Sequence, residues 1–371
     1  MAQLSDEKVE ALLTRAHREI DSGLLPSCQI ALALDGQVEV FETLGDATDD
    51  TRYPIFSATK PIVASAIWLL MAEGKIDITA KVADLIPEFG TNGKEVITIE
   101  QVMLHTSGFP HAPMGTPRWL THEGRREVFS EWRLNWEPGS RFEYHPTSAH
   151  WVLGELIHAV TGIDHTEFVR TRVLEPLGHK KLALGVPAAD QGDIATLVPV
   201  GQPPTVEETR EVLGIDQIPA TEVTEENLLR FNKAEQKEVG IPGGGAVSTA
   251  AELALFHQAL LRNPDTLWDP DILNDAKTNV RNDFPDRLYN ESANRGLGLI
   301  IRGEGNGVAT RGFGRTGSPR IFGHNGAGGQ LAWADPDTGL SFAYTTNGLD
   351  AHNFRQARRG VALSSLAAIT A

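Results

Sequence analysis

The stretch "YPIFSATKPIVASAIWLLMAEG", residues 53–74, sets Ser57 and Lys60 three positions apart at the mouth of an otherwise apolar helix. Positions i and i+3 share a helix face, so the hydroxyl and the amine are within hydrogen-bonding reach. Pro61 falls in the first turn, where a missing N–H is tolerated, and apolar residues occupy nearly every side of the helix that follows. An amine there is partly desolvated and near the positive end of a helix dipole, and both effects disfavour the ammonium form. Moving a lysine from its usual pKa of about 10.4 to roughly 7 or 8 takes about 3 to 5 kcal/mol of such environment, and a lysine so placed is a base. The spacing alone is weak, because Ser5 and Lys8 repeat it. There the serine reads as an N-cap, the acids suit the first turn and the lysine points to water. The plainer reading of Ser57 and Lys60, a capping serine with a snorkelling lysine, leaves the apolar surroundings unexplained.

Composition narrows the setting. With 371 residues the chain can bury a large core. Lys plus Arg number 33 against 49 Asp plus Glu, a net charge of -16, which disfavours nucleic acid or an anionic membrane surface as partner. The single cysteine, Cys28, excludes an internal disulfide and reads as a small buried hydrophobe. The first twenty residues form a charged amphipathic helix pattern without a signal-type apolar core, and no apolar run reaches 18 residues; a reducing cytoplasm is the expected compartment.

Periodicity predicts helices over 5–23, 57–73, 147–161, 166–175, 249–262 and about 353–369. "CQIALAL", the Asp35-Gly36 turn and "QVEVFET" predict one hairpin, and "GQLAWAD" and "LSFAYTT" around "PDTG" a second. The expected fold class is α/β (α+β): an antiparallel sheet flanked by helices and built from both chain ends (1–56 and 262–371), with a mainly helical part (57–261) inserted. A crevice between two such parts is a common place for a site. The acidic stretch 205–238 reads as a solvated surface excursion.

The motifs carry a resemblance. "SATK" with its helix, "LHTSG" at 104–108, "PGSRFEYHPTSAHWVLGELI" at 138–157, "GIPGGGAVSTAAELALFHQAL" at 240–260 and "FGHNGAGGQLAWADPDTGLSFAYTTNG" at 322–348 resemble the beta-lactamase-related serine hydrolases. That group holds class C beta-lactamases, D-amino-acid-specific peptidases and carboxylesterases, and the likeness covers most of the chain in order. It implies a single catalytic domain over 1–371 with a beta-lactamase and penicillin-binding-protein-like fold. It implies Ser57 as the acylated nucleophile and Lys60 as its proton partner.

Two elements depart from the family pattern. Tyr144 stands where the tyrosine of a Tyr-x-Asn element should be, but the sequence reads Tyr144-His145-Pro146, so the asparagine that would hold the lysine and touch a substrate amide is missing. Beside a protonated Lys60 the Tyr144 phenol is expected at a lowered pKa, the two sharing one proton. His145 either replaces the lost contact to substrate or lines the loop. The third element is His324-Asn325-Gly326 in place of Lys-Thr-Gly, which resembles the esterase branch, family VIII carboxylesterases. An imidazole is mostly neutral at pH 7, so selection for an anionic substrate is expected to weaken. By resemblance, the oxyanion hole is the N–H of Ser57 with that of Ala327.

Other patterns carry less. "GFGRTG", 312–317, matches G-x-G-x-x-G but lacks the strand before and the helix after it that would aim a helix terminus at a pyrophosphate, so no cofactor is implied. The triple glycine 243–245 reads as a tight site-lining loop. His105, His111 and His122 fit no metal-ligand spacing, so no metal is expected. Trp119, Trp132 and Trp136, the last two expected on one helical face, either wall an acyl or alcohol pocket or pack in the core. The expectation is a serine hydrolase working through an acyl-enzyme on a small-molecule carboxylic ester, with amidase, D-peptidase, beta-lactamase or acyl-transfer activity, or a retired binding site, as alternatives.

Overall fold

Asp35 and Gly36 both take positive φ, 53° and 82°, and so turn β1 (Ser27–Leu34) tightly back on β2 (Gln37–Gly45). Far along the chain come β3 (Ile300–Ile301), β4 (Phe322–Gly323), β5 (Leu331–Ala334) and β6 (Ser341–Thr346). They join β1 and β2 in one antiparallel sheet of order β2-β1-β6-β5-β4-β3, with Ile30 opposite Tyr344 and Ala31 opposite Ala343. The computed structural model describes residues 3–218, 222–287 and 290–371.

All eight residues of β1 are buried, because helices cover both faces of the sheet. Successive strand residues point to opposite faces. Cys28, Ile30 and Leu32 therefore meet Leu12 and Ala16 of α1 (Asp6–Asp21) and Leu363 and Ala367 of the C-terminal helix, α6 (Asn353–Ala367). Ala31 and Ala33 belong to the other core with Leu253 and Ala254 of α5 (Ala250–Arg262). Burial pushes the Cys28 thiol up to about 12, as suits an inert core residue. α5 is fastened to the sheet by its own hydrogen bonds: Gln258 Nε2 donates to Ala33 O and Gly339 O at 2.7 and 2.8 Å, and Ser341 Oγ donates to Ala254 O at 2.8 Å. The sheet part thus includes this helix, and a division drawn at residue 261 cuts through it.

The helical part is organised around α2 (Lys60–Ala72), in which every residue from Lys60 to Leu70 is buried. α4 (Ser148–Thr161) packs against it, and Val128 and Phe129 of α3 (His122–Glu131) join the same core. A small sheet of Tyr53–Pro54, Ala246–Ser248 and Ala183–Leu184, with Ile55 N–H donating to Ala246 O at 3.0 Å, fixes the chain just before Ser57.

Several local expectations are corrected. The 166–175 segment is one α-helical stretch, His165–Val169, followed by a π-helical turn, Arg170–Leu174. α3 ends at Glu131 and Trp132 is extended, so Trp132 and Trp136 share no helix face. The acidic stretch 205–238, of which 219–221 lie outside the described residues, holds short helices, but it also carries Glu222 to the Thr147 hydroxyl and Val223 to the wall of a cavity. Among the described residues no helix is long and apolar enough to cross a membrane.

Candidate active site

Phe56, directly before the serine, has φ 44°, a left-handed conformation that bulky residues avoid. Its buried ring is held among Leu197, Leu349 and an edge-on Phe231 at 5.1 Å, which keeps the backbone there. The chain then makes one 3-10 turn, Phe56–Thr59, and enters α2. Ser57 emerges into a cavity of 380 Å³ that also meets Tyr144, Arg295, His324, Asn325 and Ala327.

Lys60 is fully buried, and its Nζ lies 3.1 Å from Ser57 Oγ. It donates to two backbone carbonyls, Pro146 O and Gly243 O, each at 2.7 Å. Among the described residues no carboxylate forms an ion pair with it. Burial, and after it the charge of Arg295, hold the amine well below the usual lysine pKa, with Glu222 acting the other way. A neutral amine has two N–H groups and one lone pair. The two carbonyls take the N–H groups, which leaves the lone pair for the serine.

Tyr144 Oη lies 2.8 Å from Ser57 Oγ as the donor. No hydrogen bond joins Tyr144 to Lys60; the amine sits 5.0 Å from the ring centroid, and the two groups meet only at Ser57. The expected lowered phenol pKa is not found: burial outweighs the pull of Arg295 and pushes the phenol up to about 12. As an ammonium, Lys60 donates to Ser57 Oγ as well as to the two carbonyls; in its neutral form the order runs from Tyr144 O–H to Ser57 Oγ and from Ser57 O–H to Lys60 Nζ. Such a chain can take a proton from the serine at the amine and supply one from the phenol.

The missing asparagine finds its counterpart in the main chain. Pro146, where the asparagine would stand, holds Lys60 by its carbonyl, and Gly243 supplies the second acceptor. A Cβ at Gly243 would come within 2.9 Å of Pro146 O, so the first glycine of the triplet lets the two carbonyls converge on one amine.

His145 does not reach the cavity; of the two readings the sequence left open, it lines the loop and makes no substrate contact. Its Nδ1–H donates to Glu143 O at 2.6 Å, and its Nε2 accepts from Phe109 N–H at 3.2 Å, beside Ser107 Oγ at 3.2 Å. It is fully buried and ties "LHTSG" to the Tyr144 segment. Behind Tyr144 stands His105, ring to ring at 4.9 Å, whose Nδ1 accepts from His145 N–H at 3.2 Å. Its place inside "LHTSG" is the sequence signal for a histidine at this site.

The His324-Asn325-Gly326 element lies across the cavity. His324 Nδ1–H donates to Asn325 O at 2.7 Å, so its Nε2 is left to accept from Arg295 Nη1 at 3.1 Å. Burial first, and then the charge of Arg295, keep His324 neutral, well below the ordinary histidine pKa. A Cβ at Gly326 would sit 2.2 Å from Ile55 O, so only glycine lets this loop close on the chain leading to Ser57. Ala327 follows in the cavity wall, and neither its N–H nor that of Ser57 is taken by a partner among the described residues. Asn325 is accommodated by Gly312, where a Cβ would approach its amide to 2.5 Å. The glycines of "GFGRTG" thus serve packing: Gly314 N–H donates to Ser364 Oγ at 2.8 Å.

Arg295 is the residue that sequence reasoning missed. Its guanidinium lies 5.2 Å from the Tyr144 ring, and no motif marks it. The tryptophans stay out of the cavity wall: Trp119 stacks on Trp151, Trp132 on Phe109, and Trp136 Nε1 donates to Glu143 at 2.9 Å. The three histidines considered for a metal are apart in role, His111 pairing with Glu143 at 3.1 Å. His122 does approach Glu155 and His158, but Arg125 and Arg126 already bring positive charge to that carboxylate, at 2.5 and 3.4 Å.

Comparison with known proteins fits this geometry. The Beta-lactamase family model matches residues 7–367. A relative, Esterase/beta-lactamase LipL of Mycobacterium tuberculosis, is 29% identical over 357 residues, covering 86% of this chain and 76% of its own length. The crystal structure of a penicillin-binding protein homologue from Caulobacter crescentus superposes with a TM-score of 0.78 at 25% identity, covering 97% of each chain. A family VIII carboxylesterase gives 0.77 at 20% identity and 98% of each chain, a likeness of fold.

Proposed function

The chain belongs to the beta-lactamase family, and from that premise and the geometry around Ser57 we propose a serine hydrolase that works through an acyl-enzyme, with carboxylic esters as its substrates. The observation that carries the proposal is the position of Ser57 Oγ, 2.8 Å from a phenol that donates and 3.1 Å from a buried amine with no carboxylate partner among the described residues. Lys60 takes the serine proton as Oγ attacks the ester carbonyl. The oxyanion forms against the N–H groups of Ser57 and Ala327; loss of one such donor typically costs about 2.7 to 4 kcal/mol. Tyr144 delivers a proton to the departing alkoxide; the esterified Oγ carries none, so the Lys60 ammonium, which holds the proton the serine gave up, returns one to the phenolate by way of the incoming water. Water then repeats the sequence on the acyl-enzyme.

The ester preference rests on Pro146, which offers no side-chain amide to a substrate amide; the mycobacterial relative, named for both esterase and beta-lactamase, is compatible with it. The test is hydrolysis of short 4-nitrophenyl esters beside nitrocefin and a D-alanyl amide. The expected result is ester turnover that Ser57→Ala abolishes. Turnover equal in the two proteins would contradict the nucleophile, and faster cleavage of lactam or amide would contradict the ester preference.

A further inference from the structure

We propose that Phe231, carried on the acidic excursion, is a positioning residue: it presses on the ring of Phe56 and so fixes the N–H of Ser57 relative to that of Ala327. The inference deepens the reading of Ser57 as nucleophile and rests on it for the reaction the two N–H groups serve, but not for the backbone geometry it assigns.

The Ser57 N–H belongs to the planar peptide unit that begins at Phe56, so the backbone angles of Phe56 decide where that donor points. Phe56 holds φ 44°, a conformation that persists for a bulky residue only where its surroundings enforce it. The enforcing contacts are apolar. The ring is buried with Leu197 and Leu349, and Phe231 meets it edge-on, 5.1 Å between centroids and 76° between planes. Ala327 packs against the same cluster, so one group of side chains touches the residues on both sides of the proposed oxyanion hole. The turn after Ala327 lies on it too: a Cβ at Gly328 would meet Leu349 at 2.7 Å and the Phe56 ring at 3.8 Å.

Phe231 differs from the rest of the cluster in where it comes from. It stands in the turn Arg230–Asn232, directly after the five-residue helix Glu225–Leu229, and helices so short have little stability of their own. The segment is tied down at two places, each beside the site. Asn232 Nδ2 donates to Leu197 O at 2.9 Å and its Oδ1 accepts from Leu197 N–H at 2.8 Å. At the other end Glu222 accepts from the Thr147 hydroxyl at 3.3 Å, next to the Pro146 carbonyl that holds Lys60. Residues 222–232 thus make a strap from the holder of the lysine to the ring before the nucleophile. The aromatic side chain that the strap turns inward is the one that meets Phe56.

The experiment measures kcat/KM on 4-nitrophenyl butyrate for the native protein, Phe231→Ala and Phe231→Leu, and the Phe56 φ in crystal structures of the same three. Phe231→Ala should lose at least tenfold, toward the 10² to 10³ that removal of a whole oxyanion donor costs, and its Phe56 should leave the positive-φ region. Phe231→Leu keeps an apolar group on the ring and should stay within about threefold of native, with φ positive. A third comparison separates positioning from general loosening of the excursion. Glycine takes positive φ freely and has no ring to press on, so in a Phe56→Gly background the loss from Phe231→Ala should shrink to about threefold or less. Native hydrolysis untouched by Phe231→Ala, a Phe56 φ that stays positive in that variant, or an equal loss in the Phe56→Gly background would overturn the proposal. A shift of Phe56 in Phe231→Ala, from a native protein that hydrolyses no ester, would leave the backbone role standing and remove the esterase reading.

Discussion

Pro146 O accepts a hydrogen bond from Lys60 Nζ at 2.7 Å, so the residue whose side chain breaks the expected Tyr-x-Asn pattern still holds the lysine through its main chain. Because the carbonyl belongs to the backbone, Pro146→Ala should retain ester hydrolysis to within about fivefold, well short of the loss expected from removing a catalytic acid or base. Steady-state kinetics on a 4-nitrophenyl ester decides this. A loss of a hundredfold or more with an intact fold would mean that the proline ring, and not its carbonyl, is what the site needs.

Tyr144→Phe keeps the ring that packs against His105 and lies under Arg295 but removes the donor 2.8 Å from Ser57. General acid–base groups typically contribute about 10² to 10⁴ in rate. The expected outcome is a fall in kcat of that order with little change in melting temperature. A variant as active as the native protein would take Tyr144 out of the proton path.

Rate should depend on pH through Lys60. The amine acts in its neutral form, so kcat/KM should rise with pH through its ionisation, which burial and Arg295 set well below the usual lysine value. The Tyr144 phenol, pushed up to about 12, stays protonated over the working range and adds no alkaline fall below about pH 11. Arg295→Met removes a positive charge and should move the acid limb to higher pH, whereas Glu222→Gln, which removes a negative one, should move it lower. His150 and His324 also face this amine, and both are held neutral. A limb that does not move in either variant would show that another group titrates.

Acid should destabilise the fold by a route the site shares. His105, His145, His150, His257 and His324 are all buried, and burial lowers each pKa, His145 to about 3 and His257 to about 4. Unfolding returns them to about 6.5, so the unfolded state binds more protons and stability falls as pH drops below that value. Urea unfolding at pH 7.5 and 5.5 should give a lower midpoint at pH 5.5, with proton uptake on unfolding. An unchanged or higher midpoint would contradict the neutral histidines.

Much of the fold was legible because both hairpins and the long helices have strong local patterns. "CQIALAL" and "LSFAYTT" are buried along their whole length because helices cover both faces, and Asp35-Gly36 supplies the turn. Strands of two residues, Ile300–Ile301 and Phe322–Gly323, are set by the sheet edge they join and have no periodicity of their own. At the site, Ser57, Lys60 and Tyr144 were legible by spacing and resemblance, and the cavity brings them together. Pro146 and Gly243 act through carbonyls that every residue type has, so their sequence could not reveal them. Arg295 acts by position: it reaches His324 across 29 residues of chain, and an isolated arginine carries no pattern. The sequence left His145 open because neighbouring positions in a loop point to opposite sides, one into the cavity and one into the core.

The central claim is that an amine neutralised by burial makes Ser57 reactive, and mass spectrometry of the Ser57 peptide tests it most directly. After brief reaction at pH 7 with a slowly deacylating 4-nitrophenyl ester, the native peptide should gain the acyl mass, and the same peptide from Lys60→Met should not. Equal labelling without the lysine, or label on another residue with Ser57 unmodified, would contradict the account.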